Sequence, residues 1–173
     1  MAINATPKSP TANAYITLAA ANAYLSDRRL YTGEWTAATT AEREAAIIWA
    51  ASLIDQAFDF YGAVSDIYQA LSWPRLGVID RNGRYVDPDT IPQIVADANA
   101  ELAYHLAKQD RTALSELVQL GIEDAAVGPI RVTLSGSMSM PIIPETVVMM
   151  LSPFGELVAG QGGAMKTVRL RRT

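Results

Sequence analysis

The sequence predicts a mainly α protein: a small helical bundle with a short β-hairpin or strand element and an extended C-terminal tail. Long segments are rich in helix formers and carry apolar residues at helical spacing. A single Asn-Gly pair, Asn82-Gly83, stands between two short β-like runs. Beyond Phe154 a cluster of glycines ends the pattern. The chain has 173 residues, a one-domain length, and 50% of them are hydrophobic against 18% charged, which is a globular composition. Residues 1–155 are read as one helical domain and 156–173 as a flexible tail.

The first helix is expected over Leu18–Arg28, with Thr17 as N-cap. Residues 29–40, "RLYTGEWTAATT", read as a connecting loop. Thr40 is expected to cap a long helix, "AEREAAIIWAASLIDQAFDFYG", with acids in its first turn and Gly62 as its stop. Ile47, Ala51, Ile54, Phe58 and Tyr61 fall on one stripe of that helix, and Trp49, Leu53 and Phe60 on the opposite side. Two apolar faces leave two readings open. Either the helix is central and buried all round, or Trp49, Leu53 and Phe60 pack on a neighbouring subunit.

Trp73-Pro74 predicts an extended segment, because the residue before a proline is pushed out of the helical region. "DPDTIPQ" offers Asp89 or Thr90 as the next N-cap. In the helix that follows, Ile91, Val95, Ala98, Leu102 and Leu106 form one stripe, leaving the other side to water. Ile130, Val132 and Leu134 alternate as a strand, and a short helix restarts at Pro144. The tail ends in "KTVRLRRT", where apolar and basic residues alternate.

Several function classes fall away. The formal charge of −4 argues against a general polyanion binder. No cysteine is present, so disulfides and thiolate zinc sites are excluded. The N-terminal stretch has no signal-peptide pattern, and no apolar run reaches membrane-spanning length, so a soluble protein is expected. His105, the single histidine, lies beside an apolar stripe and has no serine in a strained glycine turn to serve. Asp80, Asn82, Asp87 and Asp89 resemble a calcium loop in composition, but their glycine is misplaced for one. "GQGG" lacks the lysine and hydroxyl residue of a phosphate loop. The expectation is a protein with no catalytic residues, no metal and no cofactor.

The order of segments carries a resemblance. An "ITLAAANAYL" helix and an "EREAAIIWAASLIDQAF" helix precede "LSWPRLGVIDRNGRYVDPDTIPQIVADANAELA"; "VGPIRVTL" and "IPETVVMMLSPF" follow. From Tyr15 to Phe154 this resembles the head-tail connector (adaptor, or head-completion) proteins of tailed bacteriophages. "LSWPRLGVIDRNG" and "IPQIVADANAELA" are its most specific parts. The resemblance implies a structural virion protein of the neck, made in the host bacterial cytoplasm. It would assemble as a dodecameric homo-oligomeric ring between the portal protein and a tail-side stopper or terminator. Double-stranded DNA would pass through the ring without sequence-specific binding, and no membrane would be involved.

On that implication Trp49, Leu53 and Phe60 would form the subunit interface. Trp73, Pro74, Arg75, Asn82 and Gly83 would form a partner-contact loop, tryptophan and arginine being enriched where interfaces carry their energy. The competing reading folds Trp73 into its own subunit's core. Val147, Met150, Leu151 and Phe154, with Lys166, Arg169, Arg171 and Arg172 of the tail, would dock on the portal.

Related phage proteins are labelled DnaT-like single-stranded-DNA-binding proteins, so a second function stays open. It needs aromatics beside a basic groove. Along the sequence Tyr15, Tyr24, Tyr31 and Trp35 have only Arg28 and Arg29 near them, and the basic tail carries no aromatic.

Overall fold

The structure is a computed structural model that describes residues 2–109, 124–127, 130–133 and 141–158. Its helices are α1 (Leu18–Arg28), α2 (Gly33–Ala37), α3 (Thr40–Ala57), α4 (Gln93–Lys108) and α5 (Glu145–Leu151). Among the described residues, three antiparallel strand pairs accompany them. The mainly α class with a short hairpin element is the fold that forms.

Local chemistry sets the helix starts. The Thr17 hydroxyl accepts from the Ala20 N–H at 3.3 Å and caps α1. Thr39, and not Thr40, caps α3. Its hydroxyl accepts from the Glu42 N–H at 3.3 Å, and the Glu42 carboxylate accepts from the Thr39 N–H at 2.7 Å, a reciprocal capping box. The expected loop at 29–40 contains α2, whose Trp35 is buried and donates its indole N–H to Asn22 at 2.8 Å.

α3 stops at Ala57, five residues short of the expected glycine stop. From there the chain follows the two-residue alternation of Phe58-Asp59-Phe60, buried-exposed-buried, as strand β1 (Phe58–Phe60). This strand pairs with β6 (Gly155–Leu157), with Phe58 opposite Leu157 and Phe60 opposite Gly155. The helical stripes therefore fail past Ala57: Tyr61 is exposed and Phe60 is buried. Val158 adds a bond from its N–H to the Ala57 carbonyl at 2.8 Å. Paired structure thus runs past the boundary expected at residue 155.

Gly62 is a close-approach glycine. Its φ is +72°, and a Cβ there would stand 2.1 Å from the Leu76 carbonyl oxygen. It lets β2 (Ala63–Val64) fold against β3 (Arg75–Leu76). The expected strand forms as β5 (Ile130–Thr133) against β4 (Asp124–Val127), a partner strand not expected from the sequence. Leu134 and the tail cations Lys166, Arg169, Arg171 and Arg172 lie outside the described residues.

The central helix is α4. It was expected to keep one side for water, yet it is buried from Val95 to Tyr104. Alanines at 96, 98, 100 and 103 make it thin enough for α1, α3 and α5 to close around it. Its buried polar groups are partnered, which makes their burial tolerable. Asn99 accepts from the Tyr15 N–H at 3.0 Å and donates to the Ile47 carbonyl at 2.9 Å. Asp97 accepts from Gln93 at 2.7 Å. Pro92 stands at the N-cap of α4, whereas Asp89, a candidate for that place, pairs with Lys8. No described helix is long and apolar enough to cross a membrane.

Candidate functional site

The Trp73-Pro74-Arg75 segment turns inward. Trp73 is 1% exposed, edge-on to Phe60 at 5.6 Å and to Phe154 at 5.5 Å between ring centroids. Pro74 is buried behind a cis peptide bond. Arg75 spends its guanidinium on its own chain, donating to the carbonyls of Phe60, Tyr61, Gly62 and Ser72 at 2.7–3.2 Å. The segment is anchored beneath by Asp55, which accepts from the Tyr15 hydroxyl and from the Ser72 N–H at 3.0 Å. Burial pushes the Asp55 carboxyl up against the lowering pull of those bonds. Trp73, Pro74 and Arg75 thus build the core and its edge, and the contact role expected of them is corrected to a structural one.

The same correction holds for Phe60, Val147, Leu151 and Phe154, all buried within this chain. Leu53 and Met150 are partly buried against the core. Trp49 keeps 37% of its surface exposed. Asn82 and Gly83 lie exposed at a turn. There the Asp80 carboxylate accepts from the N–H groups of Asn82 at 2.8 Å and Arg84 at 2.9 Å, and Gly83 takes φ +76°. An Ile79–Tyr85 bridge closes the hairpin. These bonds, that from the Arg84 backbone first, hold the Asp80 carboxyl below its ordinary range. Its oxygens serve the turn.

A different constellation emerges at the meeting of α1, α4 and α5. A cleft of about 910 Å³ is lined by Tyr24, Arg28, Arg29, Tyr31, Arg81 and Lys108 among others. Ile94, Met149 and Met150 contribute apolar surface. The Arg28 guanidinium lies 5.5 Å from the Tyr24 ring centroid, and that of Arg29 lies 4.3 Å from the Tyr104 centroid. Arg29 also forms a two-pronged ion pair with Glu101, and His105 Nε2 stands 3.3 Å from the same guanidinium. The Tyr104 hydroxyl donates to the Tyr31 carbonyl at 2.8 Å, which fixes the backbone while the Tyr31 ring remains 82% exposed.

Four cations and one carboxylate, Glu101, thus face a partly aromatic cleft. Tyr24, Arg28, Arg29 and Tyr31 are near neighbours in the chain and were visible in the sequence. Arg81 comes from the hairpin, while Tyr104 and Lys108 come from α4. Only the tertiary fold brings them together, so the basic surface is broader than the linear sequence suggests.

Over residues 1–173 the chain matches the model of a family described as "Putative DnaT-like ssDNA binding protein". The chain belongs to this family. No curated protein and no solved structure matches it. Membership in the DnaT-like family agrees with the second of the two labels considered from the sequence; the connector family is not what the match names. In this DnaT-like chain, the cleft above is the described surface on which cations and aromatic rings converge.

Proposed function

We propose that the protein binds single-stranded nucleic acid along the α1–α4–α5 groove and catalyses no reaction. The observation that carries this reading is the gathering of Arg28, Arg29, Arg81 and Lys108 around aromatic and methionine side chains in a chain that is acidic overall. The description of the family points the same way. Phosphates would meet the cations, and an unstacked base would meet the exposed Tyr31 ring or a guanidinium plane. Arg28 and Arg29 already lie over tyrosine rings, so less side-chain entropy remains to be lost on binding. With Glu101 offsetting Arg29 and Glu34 pairing with Lys108, about two phosphates would be neutralised, and log K would fall with log salt at a slope of about −1.4. Such binding is modest and only mildly salt-dependent.

A second reading rests on a separate observation. Ile67, Tyr68 and Tyr85 are large, exposed side chains, and none of them lines the groove. A ring subunit must cover different surfaces against two neighbours. Together with the sequence resemblance, this favours a neck subunit in a dodecameric ring. Its partners would be the portal on one side and a tail-side stopper or terminator on the other, and its place the virion. Light scattering after size exclusion, combined with titration of a labelled oligonucleotide at physiological salt, separates the two. A monomer or dimer that holds the oligonucleotide supports the groove. A ring-sized assembly that holds none supports the neck subunit and overturns the groove.

A further inference from the structure

A second, smaller groove of about 630 Å³ lies between α2, the first half of α3 and the end of α4. Its surface is mostly alanine, with Leu106 and the half-exposed indole of Trp49. Glu34 and Glu42 line it too, and both are solvent-exposed. Glu34 stands 3.4 Å from Lys108, and Glu42 closes the cap of α3. Apolar surface flanked by carboxylates suits an extended segment that alternates apolar and basic residues.

The chain contains such a segment. In "KTVRLRRT", Val168 and Leu170 alternate with Arg169 and Arg171, so that in an extended conformation one side is apolar and the other cationic. We propose that residues 166–173 of this chain dock intramolecularly across the Trp49 groove. Val168 and Leu170 would cover Trp49 and the alanines, and the arginines would pair with Glu34 and Glu42.

Reach permits it. Val158 is tied to Ala57 at the C-terminal end of α3. Trp49 and Ala46 lie about 12–16 Å back along that helix at 1.5 Å per residue. The seven residues 159–165 can span about 23 Å when extended, which brings Lys166 to the groove. The short tether also makes the contact intramolecular at a high effective concentration, so weak individual contacts suffice. This inference is independent of the nucleic-acid reading, since the groove shares no aromatic side chain with the other cleft.

Tryptophan fluorescence tests it directly. Of the three tryptophans, Trp35 and Trp73 are buried and only Trp49 reports on the groove. Compared with the full chain, a chain ending at Val158 should show red-shifted emission and greater acrylamide quenching. A synthetic peptide of residues 165–173 should reverse both changes saturably. Peptide binding should weaken with salt and with Glu34→Gln plus Glu42→Gln, the latter retaining an acceptor for the cap. In a Trp49→Phe background, truncation should change neither signal. Identical emission and quenching with and without the tail would overturn the docking. So would protection in the full chain that disappears on dilution, because that would assign the segment to a second copy.

Discussion

Tyr15 and Asp55, 40 residues apart, share a hydrogen bond inside the protein that ties the N-terminal arm to α3. The Asp55 carboxylate also receives the Ser72 N–H, so one partly buried acid organises the arm, the helix and the approach to Trp73.

Tyr15→Phe should therefore cost about 1–3 kcal/mol, since it leaves a partly buried carboxylate short of a donor. A pH signature accompanies it. Burial, then the neighbouring Asp55 charge, raises the Tyr15 hydroxyl well above the ordinary tyrosine value. The unfolded chain releases that proton near pH 10 while the folded chain retains it. This contribution is thus full below about pH 10 and is lost as pH rises through the folded value. Thermal melts between pH 8 and 12 should show the alkaline loss in the parent, and a smaller one in Tyr15→Phe.

Trp73 and Arg75 should behave as structural residues. Trp73→Ala should lose about 3–5 kcal/mol in denaturant unfolding, the range for truncating a buried tryptophan. Trp73→Phe should be much milder, because the indole nitrogen has no hydrogen-bond partner among the described residues and none is lost. Arg75→Lys should also destabilise, since an ammonium cannot span carbonyls on two chain segments. Parent-like stability of Trp73→Ala would contradict the core assignment.

Glu101→Gln separates stability from binding. The carboxylate is buried and holds Arg29 in place, so its loss should lower stability by about 1–3 kcal/mol. It also removes the groove's one carboxylate, so oligonucleotide affinity should rise in the folded variant. Weaker binding by a folded Glu101→Gln protein would mean that Arg29 acts only as positioned by its partner.

The legible parts of the fold were those written in local chemistry. Thr17 capping α1, the Asn82-Gly83 turn, the Ile130–Thr133 strand and the helix after Pro144 all follow from nearby residues. Two features were not local. The switch from helix to strand at Phe58 depends on Gly155–Leu157, nearly a hundred residues later in the chain. The burial of α4 depends on alanines and partnered polar residues, which an apolar stripe does not register. The site divides the same way. Arg28, Arg29, Tyr24 and Tyr31 were visible as neighbours, while Arg81 and Lys108 join them only through the packing of the hairpin and α4. Trp73-Pro74-Arg75 was distinctive in sequence because it is demanding to pack, and rarity alone does not separate a core staple from a contact surface.

The proposed role of the α1–α4–α5 groove is to hold a single strand. Fluorescence anisotropy of a labelled oligothymidylate, titrated with parent and with Arg28→Glu plus Arg81→Glu over a salt series, tests it most directly. Both arginines are exposed and outside the core, so the variant should remain folded. Parent binding should be saturable with a slope of log K on log salt of about −1.4, and the variant should lose at least about tenfold in affinity. Equal affinity of the two proteins, or no parent binding at low salt, would contradict it.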